Sequence, residues 1–534
     1  AVLCGPRDRF DGTGTLNSLV RRHVDWTLDK QHNDYVLDWP RDPALAGPHI
    51  LISREDLARL QADWKAGRVT PETAVVTEQL ADYEPLKARQ AAFAALEAHA
   101  KSKDEAVAKA ARTGLEAAKE ERGKLKKQLA AKDIQLLRLI IGETPDPGQL
   151  PDPGLWLQRR YQDDFLNPTG STRRLAGPFQ LGDLFNGGRP FGGAGQAALG
   201  YIFSDPDQWP GWMNGWGPGN PNFHTDKYSV AIYAAAAMLD HPHAKRWLEY
   251  GKREFDGDVG RVLLAPDGVG YECPGYSFYS LGMQLELARV FANCGYGNPV
   301  VENPLFKKTG IWHRHLLTPF DRRLGIRHQA PIGDTHRWGA KDGALFGALA
   351  KFYVKADPAF AGEMMAIWKL YSDQGMKGSL MEDLVALDRS IVPTALDRLD
   401  WGSHAFHGFG AIMRSRFGTP DETFLSVKAG PAQGHYHNDE LSYHFYGAGV
   451  PLSLDYNCSY HPRGDHAGLH NSLTFGQARP FTHTGDDKAV AALEQLHAGA
   501  TVGAFATTAA MDVIVAERAG VELFERSHRL VIAG

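Results

Sequence analysis

The chain has 534 residues, of which 43% are hydrophobic, 10% aromatic and 23% charged, with a formal net charge of -5. This composition excludes a disordered protein. The near balance of 58 basic and 63 acidic residues gives no whole-chain positive field, so we expect no nucleic-acid partner. No run of about 18 apolar residues is present, so no membrane span is predicted.

Cysteine usage and the first residue bear on the compartment. Cys4, Cys273, Cys294 and Cys458 have no CxxC spacing, which argues against a thiol zinc site or a redox pair. The chain begins at Ala1 without Met, as a mature form does after removal of a signal peptide. We therefore expect a secreted or periplasmic protein.

The first 137 residues divide into two parts. Residues 1–72 form an N-terminal segment, in which Ser53 precedes a helical pattern and is followed by a carboxylate three residues later, the signature of a helix cap. Residues 73–137 are rich in Ala, Lys, Glu and Leu, and their weak apolar stripe predicts a solvated helical hairpin arm. A partner-binding coiled coil is the alternative for this arm.

A long glycine-rich loop is predicted from 187 to 222. Ordered loops of this length are commonly functional, and Trp212 and Trp216 suit the faces of sugar rings. The same tryptophans also fit a role in fixing the loop to the body of the protein.

Apolar residues between 138 and 395 recur at helical spacing, and the runs at 228–239, 276–292, 343–354 and 360–371 are predicted helices. After 396 the period changes to two. We predict an α+β multidomain protein with a helical domain at 138–395 and an antiparallel β domain at 396–534, whose last strand is cut by the end of the chain. The predicted strands are 424–427, 441–446, 450–454, 511–515 and 521–524.

Histidines are concentrated in the β domain, where eight of the 22 lie between 401 and 470. His437, Asp455 and His470 offer two imidazoles and a carboxylate from three β elements, a set that suits zinc or a similar divalent ion. Asp455 closes an apolar strand, where an unpaired carboxylate would be costly. Histidines with purely structural partners are the alternative.

These motifs resemble those of the heparinase II/III-like polysaccharide lyases, whose relatives include alginate and oligoalginate lyases. The resemblance covers about residues 200 to 530. It implies an N-terminal incomplete (α/α) toroid followed by an antiparallel β-sandwich, and it does not explain the arm. It rests on 435–439 (HYHND), the strand ending in Asp455 and 470–473 (HNSL), and further upstream on 220–224 (NPNFH), 267–272 (DGVGYE), 275–279 (GYSFY) and 332–334 (IGD).

The resemblance implies cleavage of a uronic-acid-containing polysaccharide, of alginate or glycosaminoglycan type, by β-elimination. Tyr276 and His435 match the family's catalytic tyrosine and histidine, and Asn222 and His224 match the residues that neutralise the substrate carboxylate. Tyr460 matches a second tyrosine that protonates the leaving group. Which residue acts as base and which as acid stays open.

The metal set then shapes the site without taking part in bond breaking. Substrate contacts are expected from Trp212, Trp216, Tyr279, Arg337 and Glu272. A basic stretch around the IGD segment is read as further subsites, with ordinary surface charge as the alternative; its members are Arg322, Arg323, Arg327, His328, His336 and Arg337.

Two other functions stay open at this point. A glycoside hydrolase would need paired carboxylates, for which Glu272, Asp334 and Glu440 are available. A non-catalytic carbohydrate-binding protein would need neither Tyr276 nor His435. The alternative role for Tyr276 is that of a core aromatic residue at a helix start. The sequence does not decide between a monomer and a homo-oligomer.

Overall fold

The fold was analysed in a computed structural model. It describes residues 40, 42–45, 49, 52–129, 132–143, 225, 232, 235–236, 239–335, 343–375, 382–430, 435–437, 439–454, 469–472, 500–521 and 524–533. Seven predicted site residues lie outside this part of the chain: Trp212, Trp216, Asn222, His224, Arg337, Asp455 and Tyr460. No helix in the described part is both long and apolar enough to cross a membrane.

The described residues before 141 form five α-helices. The predicted cap at Ser53 is confirmed, because its hydroxyl oxygen accepts a hydrogen bond from the backbone N–H of Asp56 at 3.0 Å, which satisfies a free donor of the first turn. Thr70 caps the next helix in the same way, and Pro71 occupies its first position, where a fixed φ favours helix entry. The helices are α1 (Arg54–Lys65), α2 (Pro71–His99), α3 (Glu105–Ala117), α4 (Lys119–Leu129) and α5 (Lys132–Ile140).

The predicted arm at 73–137 is helical, but it consists of parts of four helices rather than two. Its ends pack on the body of the protein, since Val75, Tyr83 and Leu137 are buried in the main hydrophobic cluster. Most side chains between 87 and 124 are exposed. Only the middle of the segment therefore has the solvated surface that its composition predicts.

In the described part of the chain, six further α-helices pack around that main cluster. The predicted helices at 276–292, 343–354 and 360–371 are confirmed as α7, α10 and α11. Large aromatic side chains such as Trp247, Phe291 and Phe346 are fully buried between the helices, and each such burial contributes about 1.5–3 kcal/mol. The helices are α6 (Ala244–Asp258), α7 (Pro274–Asn293), α8 (Pro299–Glu302), α9 (Leu305–His315), α10 (Ala344–Tyr353) and α11 (Pro358–Asp373).

Eight described strands follow and form two antiparallel sheets, ordered β1-β2-β3-β4-β5 and β6-β7-β8. The periodicity predicts that helices precede antiparallel strands along the chain, and this order is confirmed. The incomplete toroid and the sandwich stay predictions. The strands are β1 (His404–Phe406), β2 (Gly410–Ser415), β3 (Thr423–Lys428), β4 (Tyr443–Gly447), β5 (Val450–Ser453), β6 (Ala500–Thr507), β7 (Asp512–Val521) and β8 (Phe524–Ala533).

One predicted strand, 521–524, is wrong. Val521 and Phe524 are register partners at adjoining ends of β7 and β8. The apolar run therefore ends one strand and begins the next, which period-two reasoning alone cannot separate from a short continuous strand.

The central strands β2 and β3 of the five-stranded sheet are buried on both faces. Successive residues of a strand point to opposite faces, so Ile412 and Phe424 pack with Trp312 of α9. Met413 and Leu425 pack instead with residues of the second sheet, among them Ile514. The sheet is therefore covered by helical residues on one face and by the second sheet on the other.

Candidate active site

Two predicted catalytic residues, Tyr276 and His435, lie directly against each other. Tyr276 is in the first turn of α7, which starts at Pro274. His435 lies in the connection between β3 and β4. Their rings stack with centroids 3.5 Å apart and an interplanar angle of 1°. A phenol and an imidazole from distant parts of the chain are thus held in one place.

The carboxylate of Glu272 contacts the imidazole of His435 at Nδ1. Its Oε1 lies 2.8 Å from Nδ1 of His435, and its Oε2 accepts a hydrogen bond of 3.2 Å from the hydroxyl of Ser280 on α7. We predicted Glu272 as a substrate contact, but its side chain is only 1% exposed and both oxygens are engaged. It is therefore suited to orienting His435 rather than to touching a polymer.

A tight turn at Gly333 supports the backbone of His435. His435 has φ +63°, a left-handed conformation that is uncommon for residues with a side chain. Its carbonyl oxygen accepts the N–H of Asp334 at 2.8 Å. A Cβ at Gly333, itself at φ +61°, would lie 2.5 Å from that carbonyl oxygen and 2.6 Å from Cβ of Cys273. Only glycine fits the turn that positions His435.

The thiol of Cys273, next to Glu272, is fully buried. Burial raises the pKa of Cys273 to about 12, so the thiol stays protonated at neutral pH and is a poor nucleophile.

A second pair of histidines, His437 and His470, lies nearby with ring centroids 5.2 Å apart. Both side chains belong to connecting segments rather than strands, and both residues are less than 9% exposed. Nε2 of His437 lies 3.0 Å from Oδ1 of Asp334. Because a carboxylate accepts the N–H, Nδ1 of His437 carries the lone pair, and it is buried with no hydrogen-bond partner among the described residues.

This arrangement fits a metal-binding histidine, which commonly donates its other ring N–H to a carboxylate. Two of the three predicted ligands, His437 and His470, are thus brought together, whereas Asp455 lies outside the described residues. Within the described part of the chain, no group of three or more His, Cys, Asp or Glu residues is placed to hold an ion. The metal stays a prediction, and the role of Asp334 beside His437 was not foreseen.

A buried ion pair anchors the chain around these histidines. Lys428 Nζ contacts Glu440 Oε1 at 2.6 Å and the carbonyl oxygen of Gly430 at 2.8 Å, and it lies 4.7 Å from the ring centroid of Tyr436. Burial raises the pKa of Glu440 to about 7 and holds the pKa of Tyr436 well above its ordinary value. Tyr436 therefore stays a phenol, which leaves Tyr276 as the better placed tyrosine for proton transfer.

Tyr279 lies three residues after Tyr276, on the same side of α7 because helix neighbours recur at that spacing. Its side chain is 50% exposed. A contact between Tyr279 and substrate stays a prediction.

The predicted basic subsite is wrong for two of its members, Arg327 and His328, which are buried. Arg327 is buried in a two-bond ion pair with Glu422, at 3.0 and 2.6 Å. Arg323 pairs with Asp321 at 2.7 Å, and the ring of His328 is buried beside the same carboxylate. Burial keeps the side chains of Arg327 and His328 away from a polyanion. The side chain of Arg323 is 50% exposed, so its role in a subsite stays a prediction. Arg337 and His336 lie outside the described residues.

No family model and no curated protein matches the chain. Among solved structures, the chain is similar to the heparinase III-BT4657 gene product, with 15% identity over 76% of this chain and 51% of that chain and a TM-score of 0.42. It is also similar to a crystal structure of heparinase III, with 14% identity over 76% of this chain and 61% of that chain and a TM-score of 0.44. A third similar structure is heparan sulfate lyase HepC from Pedobacter heparinus, with 13% identity over 76% of this chain and 60% of that chain and a TM-score of 0.42.

Structures with the heparinase name are thus among those that this chain resembles, as its motifs predicted. The chain spans about half to three fifths of the length of these three structures. At this identity and TM-score, the likeness transfers no activity and no residue role.

Proposed function

We propose that the protein is a polysaccharide lyase that cleaves a uronic-acid-containing polysaccharide, of alginate or glycosaminoglycan type, by β-elimination. The stacked pair of Tyr276 and His435 carries this proposal. Elimination needs one group to remove the proton at C5 and one to protonate the oxygen that leaves C4. An imidazole and a phenol whose ring centroids are 3.5 Å apart supply two such groups at one place.

In this reaction the C5–H and C4–O bonds break and a C4–C5 double bond forms. The C5 proton is weakly acidic, so the site must stabilise the negative charge that develops on the neighbouring carboxylate. We assign this task to Asn222 and His224. This assignment comes from the motif match alone, because both residues lie outside the described part of the chain.

The remaining assignments follow from the motifs. Tyr460 is proposed as a second proton donor, and Trp212, Trp216, Tyr279 and Arg337 as substrate contacts. His437, Asp455 and His470 would hold a divalent ion, most simply zinc, whose positive charge would stabilise the connecting segments around His435. We expect the protein to act outside the cytoplasm, where a polymer can reach it.

The three carboxylates considered for a hydrolase are each engaged elsewhere. Glu272 binds His435, Asp334 lies against His437, and Glu440 pairs with Lys428. A glycoside hydrolase needs two carboxyl groups that face each other across the scissile bond. These contacts therefore favour elimination over hydrolysis.

The test is to incubate the protein with alginate, heparin, chondroitin, hyaluronan and ulvan. Ultraviolet absorbance of the conjugated C4–C5 double bond and new reducing ends are followed together. The proposal expects both signals on at least one polymer. Reducing ends without absorbance would indicate hydrolysis, and binding without either signal would indicate a carbohydrate-binding protein; each result contradicts the lyase.

A further inference from the structure

We infer that Glu272 is a positioning residue that fixes the tautomer of His435, so that Nε2 of the imidazole faces the substrate as a proton acceptor. The inference rests on the proposed elimination for its catalytic meaning. The contacts that support it belong to the protein alone.

The tautomer follows from what a carboxylate can do. An ionised carboxylate only accepts hydrogen bonds, so the 2.8 Å contact between Glu272 Oε1 and His435 Nδ1 places the hydrogen on Nδ1. A neutral imidazole with hydrogen on Nδ1 carries its lone pair on Nε2. Among the described residues, no other side chain forms a hydrogen bond with the His435 ring.

Glu272 also supplies charge where a proton would arrive. It is buried, its second oxygen is bonded to Ser280, and no Lys or Arg in the described part of the chain pairs with it. The imidazole is therefore its only cationic partner among the described residues once Nε2 takes a proton. A buried carboxylate in this position stabilises the imidazolium that forms and holds the ring in the correct orientation.

Two contacts together leave the ring little freedom. Stacking on Tyr276 sets the plane of the imidazole, and the bond to Glu272 sets its rotation within that plane. Precise orientation of this kind lowers the barrier because the acceptor atom is already placed before the substrate arrives.

The test replaces Glu272 by Gln, which keeps the shape and removes the charge. Its amide nitrogen can donate to Nδ1, so we expect a larger fraction of the tautomer with hydrogen on Nε2. We expect kcat to fall by about 100- to 10,000-fold, with KM within about threefold of the parent value. Glu286→Gln, the same change at the far end of α7, is the matched control and should leave kcat and the tautomer unchanged.

The tautomer is read from imidazole nitrogen-15 chemical shifts, with the His435 signals identified by their loss in His435→Gln. The parent protein should show hydrogen on Nδ1, and this measurement needs no variant of Glu272. A parent with hydrogen on Nε2 would overturn the inference. So would Glu272→Gln with a near-parental kcat, or with a lower kcat but an unchanged tautomer, which would indicate a purely structural carboxylate.

These outcomes are separable from failure of the proposed function. If the parent protein produces no unsaturated product from any polymer, the lyase proposal fails. The nitrogen-15 shifts of the parent and of Glu272→Gln still decide whether Glu272 sets the tautomer of His435.

Discussion

A buried histidine that has no part in the proposed reaction should make the stability of the protein depend on pH. His313 of α9 is fully buried, and burial lowers the pKa of its imidazole to about 3. In an unfolded chain a histidine titrates near 6.5. Because the unfolded state binds the proton first, the contribution of His313 is fully present above about pH 6.5 and is lost as the pH falls below it.

The size of the effect follows from the distance between the two pKa values. At pH 5 the unfolded histidine is protonated and the folded one is not. The pH lies about 1.5 units below the unfolded pKa, which corresponds to a loss of about 2 kcal/mol relative to pH 7. His315, whose pKa burial lowers to about 2, adds a loss of the same sign.

The experiment compares the parent with His313→Gln by urea unfolding, followed by tryptophan fluorescence at pH 7 and pH 5. The free-energy penalty of the replacement should be about 2 kcal/mol smaller at pH 5. Titrating groups that both proteins share contribute equally and cancel in this difference. One of them is Glu440, whose pKa is raised to about 7, so that its contribution to stability changes with pH in the opposite direction to that of His313. An equal penalty at both pH values would refute the reasoning. The exposed His407, replaced by Gln, is the control.

Three further predictions concern the candidate site. Tyr276→Phe should lower turnover by about 100-fold or more with an unchanged Tm, and near-normal formation of unsaturated product would exclude it from proton transfer. Asp334→Asn should weaken zinc binding by about 10- to 100-fold. His470→Ala should lower both the zinc content and the Tm of the protein. A zinc content equal to that of the parent protein, measured by elemental analysis, would contradict the metal site. Gly333→Ala places a Cβ 2.5 Å from the carbonyl oxygen of His435 and should cost at least about 1 kcal/mol in chemical unfolding, whereas an unchanged midpoint would mean that the turn can move.

Features of the site that depend on local signals could be predicted from the sequence. The apolar spacing at 276–292 predicts the helix α7, so Tyr276 was correctly placed at a helix start. The partner of Glu272 lies 163 residues away. No pattern in either segment indicates that contact, and the motif for Glu272 was therefore read as a substrate contact.

The histidine excess is only partly explained by chemistry. His404 pairs with Asp400 at 3.0 Å, His444 is buried on β4, and His407 is exposed. His461 lies outside the described residues. Composition detects the excess, but only burial and partners separate a structural imidazole from a functional one.

The two buried faces of the five-stranded sheet limit how this protein can be divided. Ile412 and Phe424 are covered by Trp312 of the helical part, so a fragment that starts near β1 would expose this face to water. Exposed apolar surfaces of that kind promote self-association. The strands therefore do not form an independent unit. In a hybrid with the strands of another protein, the sheet face that packs on Trp312 would have to be complementary in shape to the helices.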